Sequence, residues 1–179
     1  MKLNKLLLMG FLSLGSLGMC DGLVAASTAN TYGNNTYGNT YAQTQPAASV
    51  TWYTNYDEAV RQSQATGRPI VLFFTGSDWC TWCNKLEDEV FHSSEFVQDS
   101  GNKYIFVKLD FPLKFSLDPT TTQQNSRLQK QYDIKGYPTV ILLDSQQRLI
   151  GESGYRAGGG KSYAAYLKKL TDGQSAFSR

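Results

Sequence analysis

The feature that most constrains this chain is an apolar run followed closely by two cysteines. The run from Ile70 to Phe74 holds only large apolar side chains, which predicts a strand buried on both faces. Cys80 and Cys83 follow, and the apolar positions from Cys83 to Phe91 recur at helical spacing. A C-x-x-C pair in the first helical turn lies on one face, and the helix N-terminus favours a thiolate on Cys80. The pattern predicts a reversible dithiol in which an exposed Cys80 attacks and Cys83 resolves the mixed disulfide.

Three other roles for the cysteine pair fit the sequence less well. A structural disulfide across two intervening residues closes almost no loop, so it adds little stability. A zinc site needs about four ligands, and only Cys20 and His92 remain to complete one. Covalent haem attachment requires a histidine directly after the second cysteine, where the chain has Asn84. We therefore predict neither a metal nor a cofactor.

The start of the chain resembles an export signal. Lys2 and Lys5 precede an uncharged apolar stretch from Leu6 to Met19, which is short for a membrane span and suits a signal-peptide core. Small residues precede Ser27 at the positions that signal peptidase recognises. We predict a signal peptide over residues 1–26, cleaved on export to the periplasm.

Lipidation at Cys20 is the alternative to cleavage after residue 26. The residues before Cys20 resemble a lipoprotein box, but Met19 stands where a small residue is expected. Cleavage after residue 26 removes Cys20 and leaves Cys80 and Cys83 as the only cysteines. A single close pair in an oxidising compartment favours exchange chemistry over a disulfide scaffold.

The segment that follows is of low complexity. It repeats the unit Asn-Thr-Tyr-Gly-Asn at 30–34 and 35–39, and it lacks the charge and aliphatic content of a folded domain. We predict a disordered spacer over 27–51 and one domain over 52–179. The net charge is only +2, from 17 Lys and Arg against 15 Asp and Glu, which gives little support to nucleic-acid binding.

Periodicity and capping residues predict the elements of this domain. Helices are expected at 56–66, 83–91, 121–132 and about 163–170, and strands at 70–74, 104–109, 140–143 and 148–151. Within the second helix, Glu87, Asp88 and Glu89 are expected on the solvated face. Strands joined through helices run parallel, and the final hairpin adds antiparallel strands. The pattern predicts an α/β fold with a mixed central sheet covered by helices on both faces.

The segment Gly136-Tyr137-Pro138-Thr139 resembles the cis-proline loop of the thioredoxin fold. In that fold the loop faces the dithiol, and its backbone pairs with the substrate chain like an added strand. The alternative is an ordinary trans turn before a strand.

The resemblance extends over the domain. Residues 73–80, 82–83, 93–96, 110–112 and 131–138 together resemble the DsbH family of exported thiol:disulfide oxidoreductases known from chlamydiae. The resemblance implies a thioredoxin-like, monomeric periplasmic protein that exchanges disulfides with cysteine-containing exported proteins, mostly as a reductant. It also implies a membrane electron donor of the DsbD type that re-reduces the dithiol.

The residues around the dithiol favour the reducing direction. Thr81 and Trp82 lie between the cysteines and carry no positive charge that would stabilise a thiolate, and Asp78 would oppose one on Cys80. His92 is too far along the helix to help. Two alternatives remain, a periplasmic disulfide oxidase and a thioredoxin-fold binding module or chaperone without turnover.

A substrate-binding rim is expected around the dithiol. Trp79, Trp82, Tyr137 and Pro138 are its candidate residues, and packing around the dithiol is the alternative role for the aromatic ones. Thioredoxin carries a buried carboxylate in the strand before the dithiol, where this chain has phenylalanines at 73 and 74. Water is therefore the expected acceptor for the Cys83 proton.

Overall fold

The apolar run forms the central strand of a five-stranded sheet, and all six residues of that strand are buried. The computed structural model describes residues 49–175. The predicted signal peptide, Cys20 and almost all of the predicted spacer lie outside the described residues. The strands are β1 (Trp52–Tyr53), β2 (Ile70–Thr75), β3 (Ile105–Asp110), β4 (Thr139–Leu143) and β5 (Leu149–Ser153). The helices are α1 (Tyr56–Thr66), α2 (Thr81–Leu86), α3 (Ser94–Ser100), α4 (Pro119–Gln131) and α5 (Gly159–Ser175), and a π-helical turn (Glu87–Phe91) continues α2.

The sheet is mixed, as the sequence predicts. Its strand order is β1-β3-β2-β4-β5. Strand β2 runs parallel to β3 and antiparallel to β4, and β5 pairs with β4 as a hairpin. The parallel pair is joined through helices and the antiparallel pair by a tight turn, in agreement with the connection rules.

Alternate residues of β2 enter two separate apolar clusters. Val71 and Phe73 face a cluster that includes the two cysteines, Leu86, Phe91, Phe96, Tyr163 and Leu167. Ile70, Leu72 and Phe74 face a cluster that includes Tyr56, Ala59, Ile105, Leu109 and Leu128. One face of the sheet is thus covered by α2, α3 and α5 and the other by α1 and α4, which confirms the predicted layers.

The first cluster is built around the ring of Phe91. This ring lies 5.1 Å from Trp52, 5.1 Å from Phe73, 5.3 Å from Phe96 and 6.0 Å from Tyr163, measured between ring centroids. All four pairs are edge-to-face, the arrangement that aromatic quadrupoles favour. The ring therefore ties β1, β2, α3 and α5 to the turn that follows the dithiol helix.

Three elements differ from the sequence prediction. The dithiol helix begins at Thr81, which agrees with a cysteine pair in its first turn, but its last residues, Glu87–Phe91, are π-helical. A separate helix, α3, follows, and it begins where the Ser93 hydroxyl accepts a hydrogen bond from the Phe96 N–H. Strand β1 was not predicted, because a strand of two residues is too short to show an alternating pattern.

Among residues 49–175, no helix is both long and apolar enough to cross a bilayer.

We expect Phe91→Ala to lower the free energy of unfolding by about 3–5 kcal/mol, because it leaves a cavity among four aromatic rings. Urea unfolding of the oxidised protein measures the change. Phe115→Ala is the matched control, because Phe115 is 51% exposed and its loss should cost under about 0.5 kcal/mol. Equal losses in the two variants would contradict the central place of Phe91.

Candidate active site

The dithiol lies in a tight turn at the carboxyl end of β2. The Gly76 carbonyl accepts hydrogen bonds from the N–H groups of Trp79 (3.2 Å) and Cys80 (2.8 Å). Cys80 is the N-cap of α2, and its sulfur accepts a hydrogen bond from the Cys83 N–H at 3.2 Å. The two sulfurs form a disulfide, with the Cα atoms 5.2 Å apart. A thiolate on Cys80 would keep the same backbone donor at the start of the helix.

The two cysteine residues differ less in solvent exposure than the sequence suggests. Cys80 is 6% exposed and Cys83 is fully buried. We expected Cys80 to be openly exposed, but in the disulfide form it is covered by its surroundings. Cys80 is still the only cysteine of the pair with any surface in contact with solvent.

The Trp79 ring leaves no room for a side chain at position 76, so this residue must be glycine. A Cβ atom on Gly76 would lie 2.3–2.6 Å from three atoms of that indole, which is closer than any real contact. The indole N–H donates to the Phe111 carbonyl at 2.8 Å, and the residue remains 42% exposed. Trp79 is therefore held across the turn, with one edge bonded and the remainder open to solvent.

Two carboxylates join the dithiol turn to the loop after β3. Asp110 accepts hydrogen bonds from the Ser77 N–H (2.9 Å) and the Ser77 hydroxyl (2.6 Å). Asp78, in the dithiol turn, accepts hydrogen bonds from the N–H groups of Leu113 (3.0 Å) and Lys114 (2.5 Å) in the loop after β3. Partial desolvation raises the pKa of Asp78, but these hydrogen bonds outweigh it, and the net pKa lies below the ordinary value. Asp78 is thus an ionised anchor of the loop as well as a charge near Cys80.

The proline loop lies beside the same turn. The Tyr137–Pro138 peptide bond is cis, as the resemblance to the thioredoxin fold implies. The Tyr137 ring contacts Trp79 edge-on at 5.6 Å and Phe111 at 5.4 Å. Its hydroxyl accepts a hydrogen bond from the Gln129 amide at 2.7 Å, and burial raises the pKa of this tyrosine. Trp79 of the dithiol turn is therefore in contact with Tyr137, which directly precedes the cis-proline Pro138.

Trp82 lies apart from these residues and has a partner that the sequence did not indicate. Its ring is 55% exposed and lies 5.1 Å from the Tyr155 ring. The Lys85 amine lies 5.1 Å from the Trp82 ring and 5.3 Å from the Tyr155 ring, and it pairs with Glu89. The Tyr155 hydroxyl donates to Glu89 at 2.5 Å. Tyr155 follows β5, and no motif or spacing links it to the dithiol.

Glu87 is not on the solvated face, which corrects the sequence prediction. Its side chain is only 12% exposed, and its carboxylate lies 2.7 Å from the amine of Lys108 on β3. Glu87 lies one helical turn after Cys83, since its N–H donates to the Cys83 carbonyl. Asp88 and Glu89 are exposed, as expected. No local pattern indicates this ion pair, because Glu87 and Lys108 are distant along the chain.

The strand before the dithiol carries no carboxylate, and both Phe73 and Phe74 are fully buried. His92 is exposed and lies 3.5 Å from Asp88 at the end of the π-helical turn, the surface position expected of it. Within the described part of the chain, no group of three or more His, Cys, Asp or Glu residues is placed to hold a metal ion.

Comparisons with known proteins agree with this geometry. A family model described as thioredoxin-like matches residues 51–145. The disulfide bond reductase DsbH of Chlamydia pneumoniae is 38% identical over 133 residues, which cover 73% of this chain and 80% of that protein. The thioredoxin-related protein DsbJ of the same organism is 31% identical over 117 residues, but the match spans only 32% of its length.

A solved structure described as a DsbH oxidoreductase is similar in both sequence and fold. It superposes with a TM-score of 0.68 and is 36% identical, over 75% of this chain and 94% of that one. The chain belongs to the thioredoxin-like family and is a thiol:disulfide oxidoreductase homologous to DsbH.

Proposed function

We propose that the chain is a periplasmic protein-disulfide reductase whose dithiol is Cys80 and Cys83. The Cys80 thiolate attacks one sulfur of a substrate disulfide, forms a mixed disulfide and releases the other substrate sulfur as a thiolate. The Cys83 thiolate then attacks the Cys80 sulfur, which frees the substrate and leaves the Cys80–Cys83 disulfide. Two electrons pass from the protein to the substrate. Cys80 is 6% exposed while Cys83 is fully buried, and this difference supports Cys80 as the first nucleophile.

The observation that carries the reducing direction is the ionised carboxylate of Asp78, two residues before Cys80. A negative charge near the nucleophile opposes its thiolate, and a less stabilised thiolate makes the dithiol a better electron donor. Lys85 is the next cation along the helix, but its charge is paired with Glu89. Oxidising members of the fold depend instead on a strongly stabilised thiolate.

Protein substrates would contact the aromatic rim. Trp79 and Tyr137 contact each other next to Pro138, and Trp82, between the two cysteines, offers an exposed ring. Backbone groups next to Pro138 would pair with an extended substrate segment, as the resemblance to the thioredoxin fold implies. The role of these four residues is to hold the substrate disulfide against Cys80.

The location and partners follow from the start of the chain and from this chemistry. Residues 1–26 would direct export and be removed, 27–51 would form a spacer, and 52–179 would work as a monomeric domain in the periplasm. Its substrates would be cysteine-containing exported proteins. A membrane donor of the DsbD type would return electrons to Cys80 and Cys83.

The reduction potential tests the direction of electron flow. We expect a value below about −200 mV, nearer to thioredoxin than to DsbA, because the ionised Asp78 precedes Cys80 and opposes its thiolate. Equilibration with glutathione measures it, and the purified protein should reduce insulin when supplied with dithiothreitol. A potential near about −120 mV would instead support a disulfide oxidase and overturn the reducing direction.

Single-cysteine variants test the order of attack. Cys83→Ala should accumulate mixed disulfides with exported proteins, because the attached substrate has no second thiol to displace it. Cys80→Ala should trap almost none and should lose insulin reduction. Non-reducing gels of both variants, with and without dithiothreitol, show the adducts. More adducts on Cys80→Ala than on Cys83→Ala would reverse the assignment.

The proton of Cys83 needs an acceptor, and Glu87 supplies a better candidate than water. Side chains four residues apart on a helix are neighbours, and Glu87 is one turn from Cys83. The partly buried pair with Lys108 keeps the carboxylate next to the apolar cluster that contains Cys83. In this proposal Glu87 takes up the proton as Cys83 attacks, in place of the carboxylate that β2 lacks.

We expect Glu87→Gln to slow the resolution of mixed disulfides about tenfold at neutral pH, which is less than the usual general-base effect because water can substitute. The pH dependence of resolution should shift to higher pH, since Cys83 loses the carboxylate acceptor. Stopped-flow tryptophan fluorescence follows the step, and attack by Cys80 should be unchanged. Asp88→Asn is the matched control, because that side chain is 77% exposed. Equal rates in the two variants would leave water as the acceptor.

A further inference from the structure

The last residue of β2, Thr75, carries a hydroxyl that the fold leaves without a hydrogen-bond partner. Its side chain is fully buried, and its Oγ1 atom makes no hydrogen bond within residues 49–175. A buried hydroxyl in this position loses its hydration and gains no bond in return. Native proteins keep few such groups, and a role in redox or catalytic chemistry is one reason for keeping one.

The Thr75 side chain lies on the face of the sheet that carries the dithiol. Successive side chains of a strand alternate between the two faces, and Val71 and Phe73 enter the apolar cluster that contains Cys80 and Cys83. Thr75 continues this series at the end of the strand. It is also the only polar side chain of β2. The unpartnered hydroxyl is therefore on the same side of the strand as the two sulfurs.

The strand register places Thr75 at the level of Cys83. Phe73 is aligned with Lys108 of β3, and Lys108 pairs with Glu87 of the π-helical turn. Helix α2 starts at the carboxyl end of β2 and runs back over the sheet, so Cys83, four residues before Glu87, is about 6 Å nearer to that end. Thr75 is two residues, about 6.6 Å, beyond Phe73 in the same direction. The two displacements match.

The other polar groups at this end of β2 are engaged. The Thr75 carbonyl accepts from the Phe111 N–H at 2.9 Å, and the carboxylate of Asp110, which is aligned with Thr75, accepts from Ser77. The Cys83 sulfur differs, because its charge depends on the redox state. In the disulfide it is uncharged, whereas a Cys83 thiolate is a strong hydrogen-bond acceptor.

We propose that the Thr75 hydroxyl donates a hydrogen bond to the Cys83 thiolate while the mixed disulfide is resolved. The inference rests on the proposed order of attack and adds a residue to it. The Cys83 thiol first gives its proton to Glu87 or to water, and the hydroxyl stabilises the buried thiolate that remains. This thiolate attacks the Cys80 sulfur, so that the Cys80–Cys83 bond forms, the bond from Cys80 to the substrate breaks, and the substrate leaves as a thiolate.

A hydrogen bond to the attacking thiolate has two opposed effects on the rate. It lowers the pKa of Cys83, so a larger fraction is ionised at neutral pH, and it makes each thiolate a weaker nucleophile. On a logarithmic scale the loss of nucleophilicity is about half the gain in ionisation. The hydroxyl therefore speeds resolution below the pKa of Cys83 and slows it above that pKa.

Thr75→Val tests the proposal, because it keeps the shape of the side chain and removes the hydroxyl. Reduced mature protein is mixed with increasing glutathione disulfide in a stopped-flow instrument, and tryptophan fluorescence is followed over a range of pH. The rate of attack by Cys80 rises with concentration, whereas resolution by Cys83 sets the plateau. In Thr75→Val the midpoint of the pH profile of the plateau should rise by about one pH unit. Resolution should be about threefold slower at neutral pH and about threefold faster above both midpoints.

Two further variants are the controls. Thr75→Ser keeps a hydroxyl and should keep the wild-type pH profile. Ser100→Ala removes another buried hydroxyl without a partner, at the end of α3, and it should also leave the profile unchanged. Attack by Cys80 should have the same rate in all four proteins. Urea unfolding of the oxidised forms confirms that each variant is folded.

The outcomes separate this inference from the proposed function. A wild-type pH profile in Thr75→Val would overturn the role of the hydroxyl and leave the order of attack intact. A rate that falls by the same factor at every pH would also overturn it, since that pattern indicates a loss of packing. No reaction of the wild-type protein with glutathione disulfide would overturn the exchange mechanism and this inference together.

Discussion

Burial of β2 on both faces is the constraint on which the dithiol site depends. Its six residues have no exposed surface, and they contribute alternately to two apolar clusters. At about 1.5–3 kcal/mol for each large apolar side chain, this burial holds the strand firmly between β3 and β4. The carboxyl end of β2 is therefore a fixed point. The turn at Gly76 starts from it, and the start of α2, which positions both sulfurs, follows within a few residues.

The loops around this fixed point are held by polar contacts. Asp110 ends β3 and accepts hydrogen bonds from Ser77, which follows β2. Asp78 follows β2 and accepts hydrogen bonds from Leu113 and Lys114, which follow β3. This reciprocal arrangement joins the dithiol turn to the loop after β3, so neither segment can move independently. The Trp79 indole adds a third link through the Phe111 carbonyl. Because Asp78 is ionised and accepts hydrogen bonds from backbone N–H groups, the same contact places a negative charge two residues before Cys80 and holds the backbone of the loop after β3.

The sequence was sufficient to predict features that depend on neighbouring residues. It was insufficient to predict features whose contacting residues are distant along the chain. The apolar run, the helical periodicity over 56–66 and the C-x-x-C spacing specified β2, α1 and the dithiol, since each depends on residues a few positions apart. The break between the π-helical turn and α3 was missed, because apolar spacing continues through Val90 and Phe91 while the Ser93 cap starts a new helix. The near-burial of Cys80 and the Glu87–Lys108 pair were also missed, because the covering residues and Lys108 come from other elements. Contacts of this kind depend on how strands and helices pack, which periodicity does not encode.

Core packing and surface exposure are divided between two parts of this molecule. The start of α2 is built into the core, since Cys83 is fully buried and Cys80 caps the helix, so changes there disturb packing. The loop after β3 presents Leu113 and Phe115, which are exposed and add little to folding. Asp78 holds the backbone of this loop, whereas the two side chains are free to change in size or polarity. The surface beside the dithiol turn can therefore change without a change in the fold, because the loop is anchored through its backbone.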